Sequence, residues 1–420
     1  MYASKNQKVT LPDVPKVKGY TNLGWTTEKG ETEPEYSAGD TVKITKATQF
    51  YAVRRKSNYY TVSYYLGNGS TNAAYQKLTQ TVEEGTVVTF AKVPARTGYV
   101  NQGWSSKKNS EKATAKAKCT VNKNITLYAV QKKAVQLTFH RCDGSTWQKT
   151  TLAKGSSYSL PGVRDAEGYT FMGWSTKPMQ SVSPQYEAEE KITVNGNVDL
   201  YAVVFNRTTE TDLTEDQLPQ VDIYKYKQVI FVGDSRTEFM ENVLTGMGES
   251  ATKNVKFVCS AGKGLDWFTT TGWAQLYSIV QHDSNSILSK KTAVIFNFGV
   301  NDLSKSADYA EYYNWIAPQL KSKGCELYFM SVNPVNRLML PNAGRADRSE
   351  AAVRSFNQYM KANLSSAYTY IDMYSYLKST GYSFASDHYG TGTVDDGLHY
   401  TTRTYKRIFA KCMDSLRVPA

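Results

Sequence analysis

The chain has 420 residues and 40% hydrophobic content, which is enough for two or more domains with ordinary cores. Its formal net charge is +12, from 50 Lys and Arg against 38 Asp and Glu. The positive charges form no cluster interleaved with aromatic residues, so binding to nucleic acid is disfavoured, and no apolar stretch approaches the ~18 residues of a membrane span.

The five cysteines and four histidines predict neither a disulfide scaffold nor a metal site. The cysteines lie far apart without a Cys-x-x-Cys pair, and the histidines form no His-x-x-His or His-Glu-x-x-His pattern. We therefore expect no metal and no other cofactor. Cys259 and Cys325 are expected to be buried free thiols, and a bridge between Cys119 and Cys142 stays open.

The N-terminal residues do not form a signal peptide. Residues 1–5 lack a basic n-region, and no apolar h-region follows them. We expect the sequence to be a fragment of a longer exported protein, secreted or held at a bacterial cell surface.

One pattern occurs three times in the first half of the chain. It consists of Gly-Tyr-x-x-x-Gly-Trp, then a polar stretch, then a closing Tyr-Ala-Val triplet. The copies begin at Gly19, Gly98 and Gly168, about 70 to 80 residues apart. Short β-branched and aromatic runs separated by Gly, Asn and Asp predict a small antiparallel β-domain for each copy.

The recurring tryptophans are expected to fill the small core of each copy. The alternative is an exposed aromatic strip that stacks on sugars or peptides. Aromatic residues at one register of every repeat are more often shared core. The pattern resembles the Listeria-Bacteroides repeat of bacterial surface proteins, which implies β-grasp-like units that act as a spacer or as an adhesive stalk on a cell-wall or host polymer.

The repeats predict where the domains begin and end. The first copy, truncated because it lacks an opening strand, covers residues 1–56, the second 57–132 and the third 133–205. Residues 206–220 are polar and predict a linker. A second kind of domain is expected at residues 221–420.

Residues 221–420 alternate between apolar β-branched runs and segments with helical periodicity. The runs begin at Val229, Val255, Ala293, Leu327 and Tyr370, and the helical segments lie near residues 237–246, 265–281, 308–323, 348–364 and 401–417. Continuous apolar strands separated by helices predict a parallel sheet covered on both faces. Ligands of such sheets bind at the carboxyl ends of the strands.

Three polar motifs lie where these strands are expected to end. Gly-Asp-Ser at 233–235 follows the first run, Gly-Val-Asn-Asp at 299–302 follows the third, and Asp-Gly-Leu-His at 396–399 precedes the last helix. They supply a hydroxyl nucleophile, an amide donor, and an imidazole base with a carboxylate to orient it. Alone, each motif could be a helix cap, a turn or a structural histidine. Asp234 and Asp302 are expected to accept backbone N–H bonds.

The motifs point away from an ordinary α/β-hydrolase, because Thr237 occupies the last position of Gly-x-Ser-x-Gly. They resemble those of SGNH, or GDSL-like, hydrolases from about residue 225 to the C-terminus. The resemblance implies a flavodoxin-like three-layer α/β/α sandwich. It also implies Ser235 as nucleophile, His399 as base and Asp396 as the carboxylate that orients the base.

The same resemblance implies an oxyanion hole. Its donors are the backbone N–H of Ser235, a backbone N–H from a glycine block and the side-chain amide of Asn301. The glycine block is the weakest match to the family. Gly264 is preferred because it comes just before a predicted helix, and Gly262 is the second choice.

Three other residues are candidates for lesser roles. Asp395 competes with Asp396 as the orienting carboxylate, but the three-residue spacing to His399 favours Asp396. Arg236, where the family often has Leu, and His388, in a glycine-bounded loop, are candidate substrate contacts.

These features predict a serine esterase that removes acetyl or another short acyl group from a carbohydrate through an acyl-enzyme. Its partner would be an acylated glycan or another small ester. The alternatives are an adhesin or glycan-binding protein whose hydrolase fold serves only for binding, and an acyltransferase or lipase of the same family.

Overall fold

The computed structural model describes residues 4–281, 291–340, 348–386 and 395–416. It contains two compact units, which are residues 1–135 with 152–154, and residues 136–151 with 155–420. The first unit holds the first two repeats. The second unit holds the third repeat together with the C-terminal α/β domain.

The first unit is β-rich, as predicted. Its first repeat has strands β1 (Lys8–Thr10), β2 (Tyr20–Thr26), β3 (Thr41–Lys43) and β4 (Tyr51–Lys56). Its second repeat has β5 (Tyr59–Tyr65), α1 (Ala73–Gln76), β6 (Gln80–Glu83), β7 (Thr86–Thr89), β8 (Tyr99–Ser105), β9 (Lys118–Val121) and the first part of β10 (Ile125–His140).

Strand pairing in these two repeats is mostly antiparallel. β1 pairs with β3 and β2 with β4. In the second repeat, β5 pairs with β6, β7 with β9, and β8 with β10, while β5 and β10 run parallel.

The tryptophan of the repeated motif makes the same hydrogen bond in each copy. The indole N–H of Trp25, Trp104 and Trp174 donates in each case to a carbonyl 13 residues earlier, at 2.6–2.8 Å. Trp104 and Trp174 are buried, and Trp25 is half-buried. The prediction that the tryptophans are core residues is confirmed for the second and third copies.

The glycine before the tryptophan is required by the backbone. Gly173 has φ +141°, and a Cβ there would lie 2.5 Å from the carbonyl oxygen of Tyr186. The tyrosine of the motif behaves differently from the tryptophan, since Tyr20 and Tyr169 are 50% and 43% exposed. The repeated aromatic residues therefore divide into one core and one surface position.

The third repeat has the same kind of strands. They are the last residues of β10, then β11 (Thr146–Ala153), β12 (Ser156–Ser159), β13 (Tyr169–Ser175), β14 (Lys191–Val194) and β15 (Val198–Asn206). β13 and β15 are antiparallel, as are β12 and β14, and β15 runs parallel to residues 137–140 of β10.

The α/β domain contains the predicted parallel sheet. Its strands are β16 (Gln228–Gly233), β17 (Val255–Cys259), β18 (Thr292–Asn297), β19 (Cys325–Met330) and β20 (Tyr368–Ile371), in the order β17-β16-β18-β19-β20. Its helices are α2 (Ser235–Met247), α3 (Leu265–Trp267), α4 (Trp273–Gln281), α5 (Ser306–Ser322), α6 (Glu350–Asn363), α7 (Met373–Thr380) and α8 (Thr402–Ser415). An antiparallel pair, β21 (Phe384–Ser386) and β22 (Asp395–Tyr400), precedes α8.

The sheet is covered on both faces, which confirms the sandwich. Ile230 and Val232 of β16 join one apolar cluster with α4, α5 and α6, whereas Val229 and Phe231 join another with α2, α7 and α8. Among the helices of the described residues, none is long and apolar enough to cross a membrane.

Three elements of this domain differ from the prediction. A π-helical turn, Phe268–Gly272, interrupts the helix expected at 265–281. The apolar run expected at 370–373 ends as a strand, β20, at Ile371, because the Asp372 side chain accepts the N–H of Ser375 and begins α7. Helix α7 was absent from the prediction.

Residues 206–220 also differ from the predicted polar linker. They contain two 3₁₀ turns, Arg207–Thr209 and Glu215–Gln217. Glu210 is buried and pairs with Arg407 of α8 at 2.9 Å, and Leu218 belongs to the core of the domain. The segment is therefore folded onto the α/β domain.

All five cysteines lie in the described part of the chain and are free thiols. The bridge between Cys119 and Cys142 is not formed. Cys325 and Cys412 are buried, and Cys259 is half-buried.

Candidate active site

Ser235 follows the carboxyl end of strand β16 and is the first residue of α2. The turn that presents it is tight, since a Cβ on Gly233 would lie 2.0 Å from the Thr237 hydroxyl oxygen. Asp234 caps the helix by accepting the N–H of Arg236 at 3.0 Å, in agreement with its expected structural role. Burial raises the pKa of Asp234 to about 6, although the neighbouring Arg236 lowers it.

His399 lies within hydrogen-bond distance of Ser235. Its Nε2 is 2.9 Å from the Ser235 Oγ, and its Nδ1 is 2.5 Å from Asp396 Oδ2. The other carboxylate oxygen of Asp396 accepts the backbone N–H groups of Leu398 and His399 at 2.8 and 2.7 Å. The structure thus brings the three predicted side chains together in one hydrogen-bonded series.

This series lies in a dry environment. Ser235 is 5% exposed, and Asp396 and His399 are each 2% exposed. The ring of Phe239, one turn after Ser235 on α2, packs edge-on against the imidazole at 4.5 Å between centroids. Because little water screens these groups, the hydrogen bonds between them are stronger than they would be at the surface.

Asn301 and Gly264 lie beside one another. The Asn301 side-chain N–H₂ donates to the carbonyl of Lys263 at 2.7 Å, on the peptide bond that leads into Gly264. A Cβ on Gly264 would lie 2.3 Å from Asp302 Oδ2, so only glycine fits there. Gly262 has φ +70° but open space around it. These contacts favour Gly264 over Gly262 as the neighbour of Asn301.

Asp302 joins the two loops that carry these residues. Its carboxylate accepts the N–H of Leu265 at 2.9 Å and the hydroxyl of Tyr309 at 2.7 Å. Burial raises the pKa of Asp302, against the lowering effect of these two hydrogen bonds. This agrees with the expectation that Asp302 accepts a backbone N–H and holds its loop.

The prediction that Arg236 contacts substrate is not supported by its surroundings. The residue is 2% exposed, and its guanidinium donates to three backbone carbonyls, those of Leu398, Asn333 and Pro334, at 2.9–3.0 Å. A guanidinium that donates to carbonyls of separate chain segments holds those segments together. The other candidate contact, His388, lies outside the described residues.

Two residues near the site were not predicted from the sequence. Arg348 donates to the Asn301 Oδ1 at 2.6 Å and so fixes which way that amide points. Asn336 donates its backbone N–H to the carbonyl of Gly397, between Asp396 and His399. Neither residue belongs to a motif, so nothing in the sequence distinguishes it from other polar residues.

Within the described residues, no group of three or more His, Cys, Asp or Glu side chains is arranged to hold a metal ion. The side chains around Ser235 are a hydroxyl, an imidazole, one carboxylate and an amide. This set can carry out proton transfer and nucleophilic attack on its own.

Comparison with known families agrees with this geometry. Residues 229–412 match the sequence model described as GDSL-like lipase/acylhydrolase. The C-terminal half is a GDSL-like hydrolase domain. Residues 2–53, 60–130 and 136–203 match the Listeria-Bacteroides repeat domain, so three such repeats precede this hydrolase domain.

Individual relatives are distant. A protein of Evansella cellulosilytica that is named as a Gly-rich membrane protein is 28% identical over 199 residues, which cover 46% of this chain and 22% of the relative. A second Evansella cellulosilytica protein, named as a membrane protein, is 25% identical over 192 residues, covering 46% of this chain and 27% of the relative. The chain thus spans about a quarter of the length of these curated relatives.

Similar solved structures include a GDSL-like lipase of Bacteroides thetaiotaomicron, with 17% identity, a TM-score of 0.32, and coverage of 48% of this chain and 93% of that one. An acetylxylan esterase of Geobacillus stearothermophilus has 9% identity, a TM-score of 0.30, and coverage of 47% and 98%. The catalytic domain of a peptidoglycan O-acetyltransferase of Streptococcus pneumoniae has 16% identity, a TM-score of 0.28, and coverage of 46% and 93%.

Proposed function

We propose that this protein is a serine esterase that hydrolyses short-chain acyl esters of a carbohydrate, O-acetyl esters above all, and that its repeats display it on a bacterial surface. The observation that carries the esterase proposal is the hydrogen-bonded series of Ser235, His399 and Asp396 at the carboxyl end of a parallel sheet.

In the first step, the Ser235 Oγ forms a bond to the ester carbonyl carbon. His399 Nε2, 2.9 Å away, takes the hydroxyl proton. The Asp396 carboxylate, at 2.5 Å from Nδ1, holds the imidazole in the tautomer that can accept this proton and stabilises its charged form. The carbonyl electron pair moves onto oxygen, which becomes an oxyanion.

The oxyanion would be bound by the backbone N–H groups of Ser235 and Gly264 and by the Asn301 amide. In the turns and loops of the described residues, neither backbone N–H donates to a backbone carbonyl. The Asn301 nitrogen carries two hydrogens and uses one of them on the Lys263 carbonyl, so one is left for the oxyanion. A single donor of this kind typically contributes about 3 kcal/mol to transition-state stabilisation.

The intermediate then collapses. The bond to the alcohol oxygen of the substrate breaks, and His399 gives that oxygen the proton. Water attacks the acyl-Ser235 ester by the same route, with His399 again taking and returning a proton, and the carboxylic acid leaves. No cofactor enters either half of the reaction.

The acyl group is proposed to be short because the nucleophile and base are almost fully buried, at 5% and 2% exposure, with the Phe239 ring against the base. The carbohydrate part of the proposal is supported by the three repeats, whose family is known from bacterial surface proteins. Acylated glycans are one class of ester that such a surface can present.

The test is to assay the full chain with p-nitrophenyl acetate, p-nitrophenyl octanoate and an O-acetylated oligosaccharide. We expect turnover of the acetyl substrates, little of the octanoate, and a fluorophosphonate label on the peptide that contains Ser235. Ser235→Ala should abolish both turnover and labelling. Ser306→Ala is the matched control, because Ser306 also begins a helix of this domain and should keep full activity.

Four results would contradict the proposal. Turnover retained by Ser235→Ala would show that Ser235 is not the nucleophile, and a fluorophosphonate label on another residue would identify a different nucleophile. Equal rates for octanoyl and acetyl esters would overturn the assignment of a short acyl group. Acyl transfer in place of hydrolysis would appear as an acylated polyol when one is added as acceptor.

A further inference from the structure

The third repeat differs from the first two at one pair of facing positions. In the first repeat, Asn22 on β2 lies opposite Arg54, and in the second, Asn101 on β8 lies opposite Gln131. The corresponding pair in the third repeat is Phe171 on β13 and Val204 on β15. A polar pair has thus become apolar in the repeat that adjoins the hydrolase domain.

The asparagine has a structural task in the first two repeats. The Asn22 amide donates to the carbonyl of Val14, eight residues earlier, at 2.6 Å. The Asn101 amide does the same for Val93, also eight residues earlier, at 2.7 Å. Each repeat therefore satisfies this backbone carbonyl with its own side chain.

In the third repeat, the donor comes from the hydrolase domain. The carbonyl of Val163, eight residues before Phe171, accepts from the Asn336 side chain at 3.1 Å. The second hydrogen of that amide goes to Asp165 Oδ1 at 2.8 Å. An asparagine from the α/β domain thus takes the place of the one that the third repeat lacks.

Asp165 is held firmly for this contact. Its side chain is fully buried, and its second oxygen accepts from Arg207 at 2.7 Å. The backbone N–H of Phe171 also donates to Asp165, at 3.0 Å. The other repeats have Lys16 and Ala95 at the corresponding position, neither of which can accept these bonds.

The third repeat is joined to the hydrolase domain at other places as well. Lys378 of α7 is buried and contacts Glu187 at 2.9 Å and the Met172 carbonyl at 2.7 Å, both from the third repeat, as well as Glu350 of α6 at 2.8 Å. Phe205 of β15 packs on Gly381, where a Cβ would lie 2.3 Å from the ring. The repeat and the α/β domain share one apolar core.

From Asn336 the contacts lead directly to the proposed catalytic residues. The Asn336 backbone N–H donates to the Gly397 carbonyl at 2.8 Å, and Gly397 lies between Asp396 and His399. Gly397 has φ +68°, and a Cβ there would lie 2.4 Å from the Asn336 carbonyl oxygen. Segment 333–336 and strand β22 therefore fit each other closely at this point.

Segment 333–336 also contacts the residue that follows the proposed nucleophile. The carbonyls of Asn333 and Pro334 accept from the guanidinium of Arg236, the residue after Ser235, at 2.9 Å each. The third nitrogen of that guanidinium donates to the Leu398 carbonyl at 3.0 Å. One short segment is thus bonded to the third repeat, to the chain at the nucleophile and to the strand of the base.

We propose that the third repeat is required for full esterase activity. Asp165 and Asn336 are positioning residues that hold segment 333–336, so that His399 stays within hydrogen-bond distance of Ser235. The proposal rests on the proposed function for its kinetic readout. It assigns the third repeat a task that the first two do not have, since Asn22 and Asn101 satisfy their own repeats.

The test uses the full chain with Asn336→Ala, Asp165→Ala and the double variant. We expect kcat for p-nitrophenyl acetate to fall about tenfold in each, with KM changed less than twofold, because the substrate-binding surface is left intact. The double variant should lose less kcat than the product of the two single losses, since both changes remove the bond between Asn336 and Asp165. The matched control, Asn101→Ala, removes the corresponding bond of the second repeat and should keep wild-type kcat.

A reciprocal swap separates positioning from general loss of stability. Asn336→Asp alone places a second carboxylate next to that of Asp165, and this variant should be the slowest. Asn336→Asp combined with Asp165→Asn restores an amide-to-carboxylate bond in the opposite direction and should recover part of the lost kcat. Recovery in the pair would not occur if either change merely unfolded the domain.

Hydrogen exchange gives a readout that does not depend on turnover. The amides of strand β22 should exchange faster in Asn336→Ala than in the wild type, and equally fast in Asn101→Ala and the wild type. Unchanged kcat together with unchanged exchange in Asn336→Ala would overturn the inference, as would an equal loss of kcat in Asn101→Ala. A wild-type protein without turnover or fluorophosphonate labelling would defeat the proposed function, and the exchange result would still decide the inference.

Discussion

The second and third repeats carry the same Gly-Tyr-x-x-x-Gly-Trp motif, yet their strands pack on different partners. In the second repeat, Trp104 packs on Tyr64 and Tyr75 of its own repeat, with ring centroids 4.8 and 6.0 Å away. In the third, Trp174 packs on Phe139, and its neighbours Met172 and Phe205 enter the core of the α/β domain. The motif encodes the fold of a repeat, whereas residues outside it decide what that repeat packs against.

Single positions account for much of this difference. Where the third repeat has Phe171 and Phe205, the second has Asn101 and Lys132. Asparagine and lysine keep these two positions of the second repeat polar, while the two phenylalanines must be covered. The following predictions test whether the third repeat belongs to the enzyme and the second does not.

The largest effect is expected from removing the third repeat. Residues 206–420 would expose the surface that covers Met172, Val203 and Phe205, and burying three such side chains contributes roughly 5 to 9 kcal/mol as an upper estimate. That is comparable to the whole stability of a domain. We expect this fragment to aggregate or to unfold at much lower urea concentration.

Residues 133–420 are the matched control for that truncation. This fragment loses the first two repeats but keeps the third, and it should retain wild-type kcat with p-nitrophenyl acetate. An active, stable 206–420 fragment would show that the third repeat is only a spacer, like the second.

The next prediction concerns a variant that should lose catalytic activity and keep its stability. It gives the reference for a purely catalytic loss. Asp396→Asn keeps an oxygen for the N–H groups of Leu398 and His399 but presents an N–H₂ group to the imidazole. The imidazole then takes the wrong tautomer and cannot accept the Ser235 proton, so kcat should fall about 10⁴-fold. Urea unfolding should stay close to that of the wild type, and a kcat within tenfold of the wild type would show that Asp396 does not orient His399.

A smaller effect compares equivalent tryptophans. Trp104→Ala and Trp174→Ala each remove a buried indole and its hydrogen bond, at a cost of about 3 to 5 kcal/mol. Calorimetry should show a lower transition temperature for the first unit with Trp104→Ala and for the second unit with Trp174→Ala. Only Trp174→Ala should also make esterase activity more sensitive to temperature, and an equal sensitivity in Trp104→Ala would break the comparison.

Sequence reasoning succeeded where contiguous residues carry the information. The residues proposed as nucleophile, base and orienting carboxylate lie in motifs at the ends of apolar runs, and Ser235, His399 and Asp396 do meet in the structure. The strand and helix order followed from apolar runs and helical periodicity. The Gly-Trp pair of the repeats was predictable for the same reason.

What the sequence did not predict depends on contacts between distant segments. Asn336 and Asp165 are 171 residues apart, and neither belongs to a periodic or motif pattern. Residues 206–220 are polar in composition, so their packing on α8 through Glu210 and Arg407 could not be anticipated. The charge of Arg236 suggested a substrate contact, whereas in the structure its guanidinium donates hydrogen bonds to three backbone carbonyls.

The smallest predicted effect is a pH dependence that has opposite signs for one carboxyl group in each unit. In the first unit, the hydrogen bond from Arg55 lowers the pKa of Glu84, so its contribution to stability is present at neutral pH and lost as the pH falls. In the second, burial raises the pKa of Asp234 to about 6, compared with its ordinary value of 3.8. The folded second unit holds that proton more tightly than the unfolded chain does, so the contribution of Asp234 to stability is fully present below about pH 4 and is lost as the pH rises through 6.

Asp234→Asn isolates this effect, because asparagine caps a helix as well as aspartate does and can still accept the N–H of Arg236. The difference between the two pKa values corresponds to about 3 kcal/mol. In urea unfolding of residues 133–420, the wild type should lose up to that much stability relative to the variant between pH 4 and pH 7. Parallel pH profiles for the two proteins would show that the charge of Asp234 does not destabilise the second unit. The contrast with the first unit would then rest on packing alone.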